Sequence, residues 1–115
     1  MALRTPLIVI NLKTYRQGHG EAGFALFRQM APVAEASGAC LAAATSALDL
    51  RPFAPKGGVP VLAQHTDAAP AGAHTGAVRP AEAVAAGAGG PLVHHAEPQL
   101  GSAGSQATLA PAREG

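Results

Sequence analysis

At 115 residues and 11.4 kDa the chain has the size of one domain with a core a few side chains deep, which argues against a two-domain enzyme. Its net charge of +1, with Lys and Arg scattered along the chain, leaves no electrostatic footprint for nucleic acid or for an acidic membrane. A single cysteine, Cys40, excludes a disulfide framework or a thiolate metal set and fits a reducing cytoplasm.

Hydrophobic residues make up 48% of the chain but aromatics only 3%, so the core must be built mainly from small and aliphatic groups. The N-terminus lacks the apolar core of a secretory signal, and no stretch approaches the roughly 20 apolar residues of a membrane span. The expectation is a soluble, cytoplasmic chain.

In chain order, the first element is the branched apolar run LIVIN, Leu7 to Asn11, read as a strand. Between Gly20 and Ser37 the residues Phe24, Phe27, Met30, Ala31 and Ala34 recur at helical spacing, and ACLAAA then reads as a second strand. A short helix is expected over Ala47 to Ala54, and VPVLAQH, Val59 to His65, is the third strand with Pro60 at its start. After the Gly- and Pro-rich segment Ala69 to Pro80, Pro80 stands in the first turn of a helix that Gly87 ends. PLVHH reads as the fourth strand. Apolar strands alternating with helices imply an α/β fold with parallel strands in βαβ units, about four of them. Beyond Glu97, two glycines and Pro111 interrupt the last helical stretch, so residues 98–115 are expected to form at most a frayed helix or a weakly ordered tail.

Four motifs stand in order along this framework: Asn-x-Lys at Asn11 to Lys13, AQH at the end of the third strand, Gly-x-x-Thr-Gly over Gly72 to Gly76, and His-x-Glu at His95 to Glu97. Together, over residues 6–97, they resemble the N-terminal half of triosephosphate isomerase, in the short form typical of archaea. The resemblance implies a partial (β/α)₈ barrel, a half barrel of about four βα units. It also implies interconversion of dihydroxyacetone phosphate and glyceraldehyde 3-phosphate in glycolysis and gluconeogenesis, without a cofactor. The partners it implies are a small phosphorylated triose and either a second copy or a complementing C-terminal half.

Such a reaction passes through an enediolate, so the site must place positive or hydrogen-bonding groups on two substrate oxygens. On the family's pattern Lys13 supplies the charge, and His95 is the neutral electrophile that donates to the carbonyl. The family's histidine owes its neutrality to a helix N-terminus, and here Pro98 is placed to open such a helix. Asn11 orients substrate and lysine, and Glu97 pairs with Lys13 behind the reacting groups. Gly72, His74, Thr75 and Gly76 correspond to the family's loop between subunits. Without the pattern, Lys13 would read as a solvated lysine, His95 as a strand-end histidine and Glu97 as a surface carboxylate. A zinc site on His65, His94 and His95 is the alternative from metal chemistry. It lacks a compact ligand spacing, and adjacent strand residues point to opposite faces.

A complete barrel of this kind takes about 250 residues. The family's general base, a glutamate from a later strand, and its last phosphate-binding loops have no counterpart in these residues, and Ala96 stands where the family has serine. Three readings follow: an isomerase chain cut short, with weak activity at best; a non-catalytic module that binds an isomerase subunit through the His74 to Gly76 loop; and a half barrel that self-associates to rebuild eight strands.

Overall fold

The computed structural model describes residues 3–93 together with His95. Within them, β1 (Leu7–Asn11), β2 (Cys40–Thr45), β3 (Val61–Ala63) and β4 (Ala88–Pro91) form one sheet in the order β1-β2-β3-β4. All three neighbouring pairs are parallel. The helices α1 (Gly20–Arg28), α2 (Met30–Ser37), α3 (Ala47–Phe53) and α4 (Pro80–Ala85) fill the connections, and a 3₁₀ turn at Arg16–Gly18 precedes α1. This is an α/β arrangement of about four βα units, a partial (β/α)₈ barrel.

The 3.6-residue apolar pattern through Gly20 to Ser37 makes two helices rather than one. Pro32 has no N–H for the carbonyl of Arg28, and its ring crowds that carbonyl, so the helix breaks one turn earlier, at Gln29. The pattern itself survives the break: Phe27, Met30 and Ala34 are buried and Phe24 and Ala31 pack against them.

The start of α1 has no side-chain cap of its own. The N–H of Gly20 instead meets both carboxylate oxygens of Asp49, each at 3.3 Å, and Asp49 is 7% exposed in the first turn of α3. A carboxylate facing a helix N-terminus complements the exposed donors there, so one residue both caps α1 and docks it against α3.

The two faces of the sheet bury different sets. Leu41, Ala43, Val61 and Ala63 face the helices, where they join Phe27, Leu50 and Phe53. On the opposite face Ala42, Ala44 and Leu62 pack with Leu7, Val9 and Leu92. All three phenylalanines of the chain gather under the helices: Phe27 stacks on Phe53 at 5.3 Å and Phe24 lies 5.3 Å from Phe53. The few aromatic groups are thus concentrated in one place. A Cβ on Gly57 would overlap the Phe27 ring, so that glycine is a packing requirement of the cluster.

The fourth strand differs from the expectation. PLVHH overlaps it only at Pro91; β4 runs Ala88–Pro91, and Leu92 follows with its N–H on the Ala63 carbonyl at 2.8 Å. Gly87, with φ of 104°, turns the chain from α4 directly into the strand. Register against Val61 and Ala63 selects the pairing residues, and two glycines with little strand propensity are carried into it. His94 and residues 96–115, including Glu97 and the expected tail, lie outside the described residues.

Candidate active site

The C-terminal end of β1 is shaped by two side-chain contacts. Asn11, its last residue, accepts the N–H of Lys13 on Oδ1 at 2.9 Å, a local turn that bends the chain away from the strand. Lys13 then adopts φ of 55°, in the left-handed region that costs a residue with a Cβ on the order of 1 kcal/mol or more.

That conformation is held from the other side by Gln64, which directly follows β3. Its Nε2 donates to the Lys13 carbonyl at 2.8 Å, with longer approaches to the Ala44 carbonyl at 3.2 Å and to Asn11 Oδ1 at 3.4 Å. One amide therefore ties together the ends of β1, β2 and β3. Both backbone polar groups of Lys13 have side-chain partners, which fixes the direction in which the lysine leaves the backbone. Lys13 itself is half-buried.

His95 arrives from the chain that follows β4. Its Nε2 lies 3.4 Å from Nδ2 of Asn11, although the two residues are 84 positions apart in sequence. The Asn11 amide donates to Nε2 when that nitrogen carries no hydrogen. When Nε2 does carry one, the two N–H groups cannot bond each other, and both are left to donate to an acceptor outside the pair.

Asn11, Lys13 and His95 are thus brought to one end of the sheet. The partner foreseen for Lys13, Glu97, is outside the described residues, as is His94 of the zinc alternative. Among the described residues no three His, Cys, Asp or Glu side chains converge in a way that could hold a metal ion. No helix there is long and apolar enough to cross a membrane.

Gly72, His74, Thr75 and Gly76 lie in an exposed loop between β3 and α4. The loop closes at its base: Asp67 N–H donates to the Val78 carbonyl, and Val78 N–H returns to Asp67 Oδ2, both at 2.7 Å. His65 Nε2 meets the other oxygen, Oδ1, at 2.8 Å. The Val78 N–H first and the His65 hydrogen bond second hold the Asp67 carboxyl below the ordinary aspartate range, against a smaller opposing effect of burial.

In the sequence Gln64 stands only as a member of the AQH motif, with no role of its own, and Asp67 is given none. The signal for a role of Gln64 is a long polar side chain directly at the end of an apolar strand, in the position Asn11 holds on β1.

The family model for triosephosphate isomerase matches residues 6–112. This chain belongs to the triosephosphate isomerase family. The triosephosphate isomerase of Methanoculleus marisnigri is 38% identical over 96 residues, which are 84% of this chain and 43% of that protein. The enzyme of Methanothermus fervidus is 40% identical over 95 residues, 83% of this chain and 43% of the relative. That of Methanococcoides burtonii is 40% identical over 108 residues, 94% of this chain and 49% of the relative. The chain therefore spans somewhat under half the length of these archaeal triosephosphate isomerases, and the family match takes in all four strands described above.

Proposed function

We propose that the chain contributes the lysine and histidine wall of a triosephosphate isomerase site, where dihydroxyacetone phosphate and glyceraldehyde 3-phosphate interconvert. The observation that carries the reading is the convergence of Asn11 and His95, with their nitrogens 3.4 Å apart beside a lysine held in an unusual backbone conformation. Two N–H donors converging on one oxygen stabilise the negative charge that develops on it as a neighbouring carbon loses its proton. Lys13 adds a positive charge for the second oxygen or the phosphate. The resemblance assigns Glu97, outside the described residues, as the partner of Lys13.

A wall of this kind polarises the substrate but does not take the proton from carbon. That step needs a base within hydrogen-bond reach, and in this reading it comes from the family's later strands in a complementing chain, or from another carboxylate when copies of this chain assemble. The test is isomerisation of glyceraldehyde 3-phosphate by the purified chain, produced in a host without its own isomerase, with Lys13→Ala as control. Activity that vanishes in the control supports the reading and places the base in an assembly of copies. Activity that persists in Lys13→Ala refutes it. If the chain alone is inactive, adding the C-terminal half of an archaeal relative must restore turnover for the reading to stand.

A second reading, a non-catalytic half barrel that binds an isomerase subunit or itself, is favoured by the open edge of β1. There Ile8 is 55% and Ile10 36% exposed, on a strand that has one sheet neighbour among the described residues. A chain that sediments as a monomer at high concentration and is not retained by an immobilised full-length isomerase removes this reading.

A further inference from the structure

Asp49 is the one carboxylate among the buried residues described, and it is poorly supplied with donors. Its two oxygens share a single N–H, that of Gly20, at 3.3 Å each, the long end of a hydrogen bond. An ionised carboxylate has room for about four such bonds. Among the described residues no lysine, arginine or histidine pairs with it. A buried charge in that state is costly unless water or a ligand completes it.

The space for a ligand lies beside it. A cleft of about 240 Å³ opens between α1 and α3, with Phe24, Phe53, Pro52 and Asp49 in its walls. The rings of Phe24 and Phe53 stand 5.3 Å apart at 55° to one another, Phe24 half-buried and Phe53 buried. Clefts for drug-sized ligands begin at about 300 Å³, so this one has room for a single ring with a short substituent. Its walls are aromatic and apolar, and its one buried polar side chain is an anion. Glu21 and Lys56 also line it, both exposed, so their opposite charges are screened and offset each other and Asp49 sets the sign. None of these residues belongs to the cluster of Asn11, Lys13 and His95.

We propose that this cleft binds a small aromatic ammonium ion, its ring against Phe24, Phe53 and Pro52 and its N–H groups donating to Asp49. A carboxylate only accepts, so the ligand must donate, and a cationic donor makes a charge-assisted bond that a neutral one does not. The faces of two phenylalanine rings favour a cation as well. An anionic ligand of the same shape meets Asp49 as a like charge.

The experiment titrates the isotope-labelled 115-residue chain with benzylamine, and with benzyl alcohol and benzoate as its neutral and anionic counterparts, and follows amide chemical shifts. Benzylamine is expected to move the Gly20, Phe24 and Asp49 amides in a saturable way, with a Kd of about 1 mM for a ligand of so few atoms. Benzyl alcohol should bind about tenfold more weakly, and benzoate should leave these amides unmoved. Asp49→Asn keeps an oxygen for the Gly20 N–H but removes the charge. It should bring benzylamine down to the affinity of benzyl alcohol and leave benzyl alcohol unchanged, a pattern that a loosened α1 would not produce. The Ala43 amide, bonded to the Pro60 carbonyl in the sheet, reports the fold and should not move.

Shifts that never saturate, or that spread evenly over the surface, overturn the site. Equal affinity for benzylamine and benzyl alcohol overturns the choice of a cation, and full affinity in Asp49→Asn overturns the role of Asp49. The three-probe comparison runs on the unaltered chain and decides the ligand class even where Asp49→Asn does not fold. Phe24→Ala then tests the ring contact, and undiminished binding of benzylamine in it refutes the cleft.

Discussion

β1 and β2 lie side by side, five and six residues long and both apolar, and they bury in opposite ways. Every residue of β2 is buried although three of the six are alanines, while β1 carries two isoleucines that face water. Position in the sheet, more than side-chain size, sets burial here. β2 has a strand on each side, helices over one face and the Leu7, Val9 and Leu62 side chains beside Ala42 and Ala44 on the other, so even methyl groups are buried at its centre. Among the described strands β1 has one neighbour, and the Asn11 and Gln64 side chains fasten its end.

The largest expected effect comes from breaking the centre. Ala43→Glu places an unpaired carboxylate against Phe27 and Phe53, at a cost of several kcal/mol that exceeds the reserve of a small domain. Its circular dichroism should show no cooperative unfolding transition. Phe27→Ala empties the aromatic cluster, and a loss of about 3–5 kcal/mol should appear as a lowered urea midpoint.

Next in size is the stitch that fastens β1. Gln64→Ala removes the donor to the Lys13 carbonyl, and a loss of about 1–2 kcal/mol should come with faster exchange at the Leu12 amide, whose partner is the Ala44 carbonyl. If the Leu12 amide keeps its protection, packing alone holds β1. The smallest change in stability is expected from Ile8→Thr, within about 0.5 kcal/mol because the side chain is already exposed. The same substitution should reduce self-association in sedimentation, and unchanged association would show that the β1 edge is not where copies meet.

The contrast also explains what the sequence could convey. β1, β2 and β3 were legible as apolar runs between turn residues, because parallel strands buried on both faces need no alternation. β4 was misplaced because its residues, Ala-Gly-Gly-Pro, have no strand character of their own and are recruited by register with β3. The break at Gln29 was visible in principle, since Pro32 cannot continue the ladder from Arg28, yet the apolar stripe runs through it undisturbed.

At the candidate site, Asn11, Lys13 and His95 could be named from motif spacing. The contact between Asn11 and His95 could not, because it depends on three intervening strands. The roles of Gln64, Asp49 and Asp67 remained hidden for a related reason. Each acts on the backbone of a distant segment, and a side chain that bonds a carbonyl or an N–H leaves no complementary residue type in the sequence to signal it.

The strict order β1-β2-β3-β4 bears on how the chain is made. A ribosome releases the strands one at a time, and here each new strand pairs with the strand completed just before it, so none waits for a partner still to be translated. At every stage the nascent sheet presents one growing edge and one edge left behind at β1. The growing edge is capped by the next unit to emerge. Among the described strands β1 gains no second strand neighbour, so Ile8 and Ile10 are the apolar side chains that a chaperone would meet there from the earliest stage.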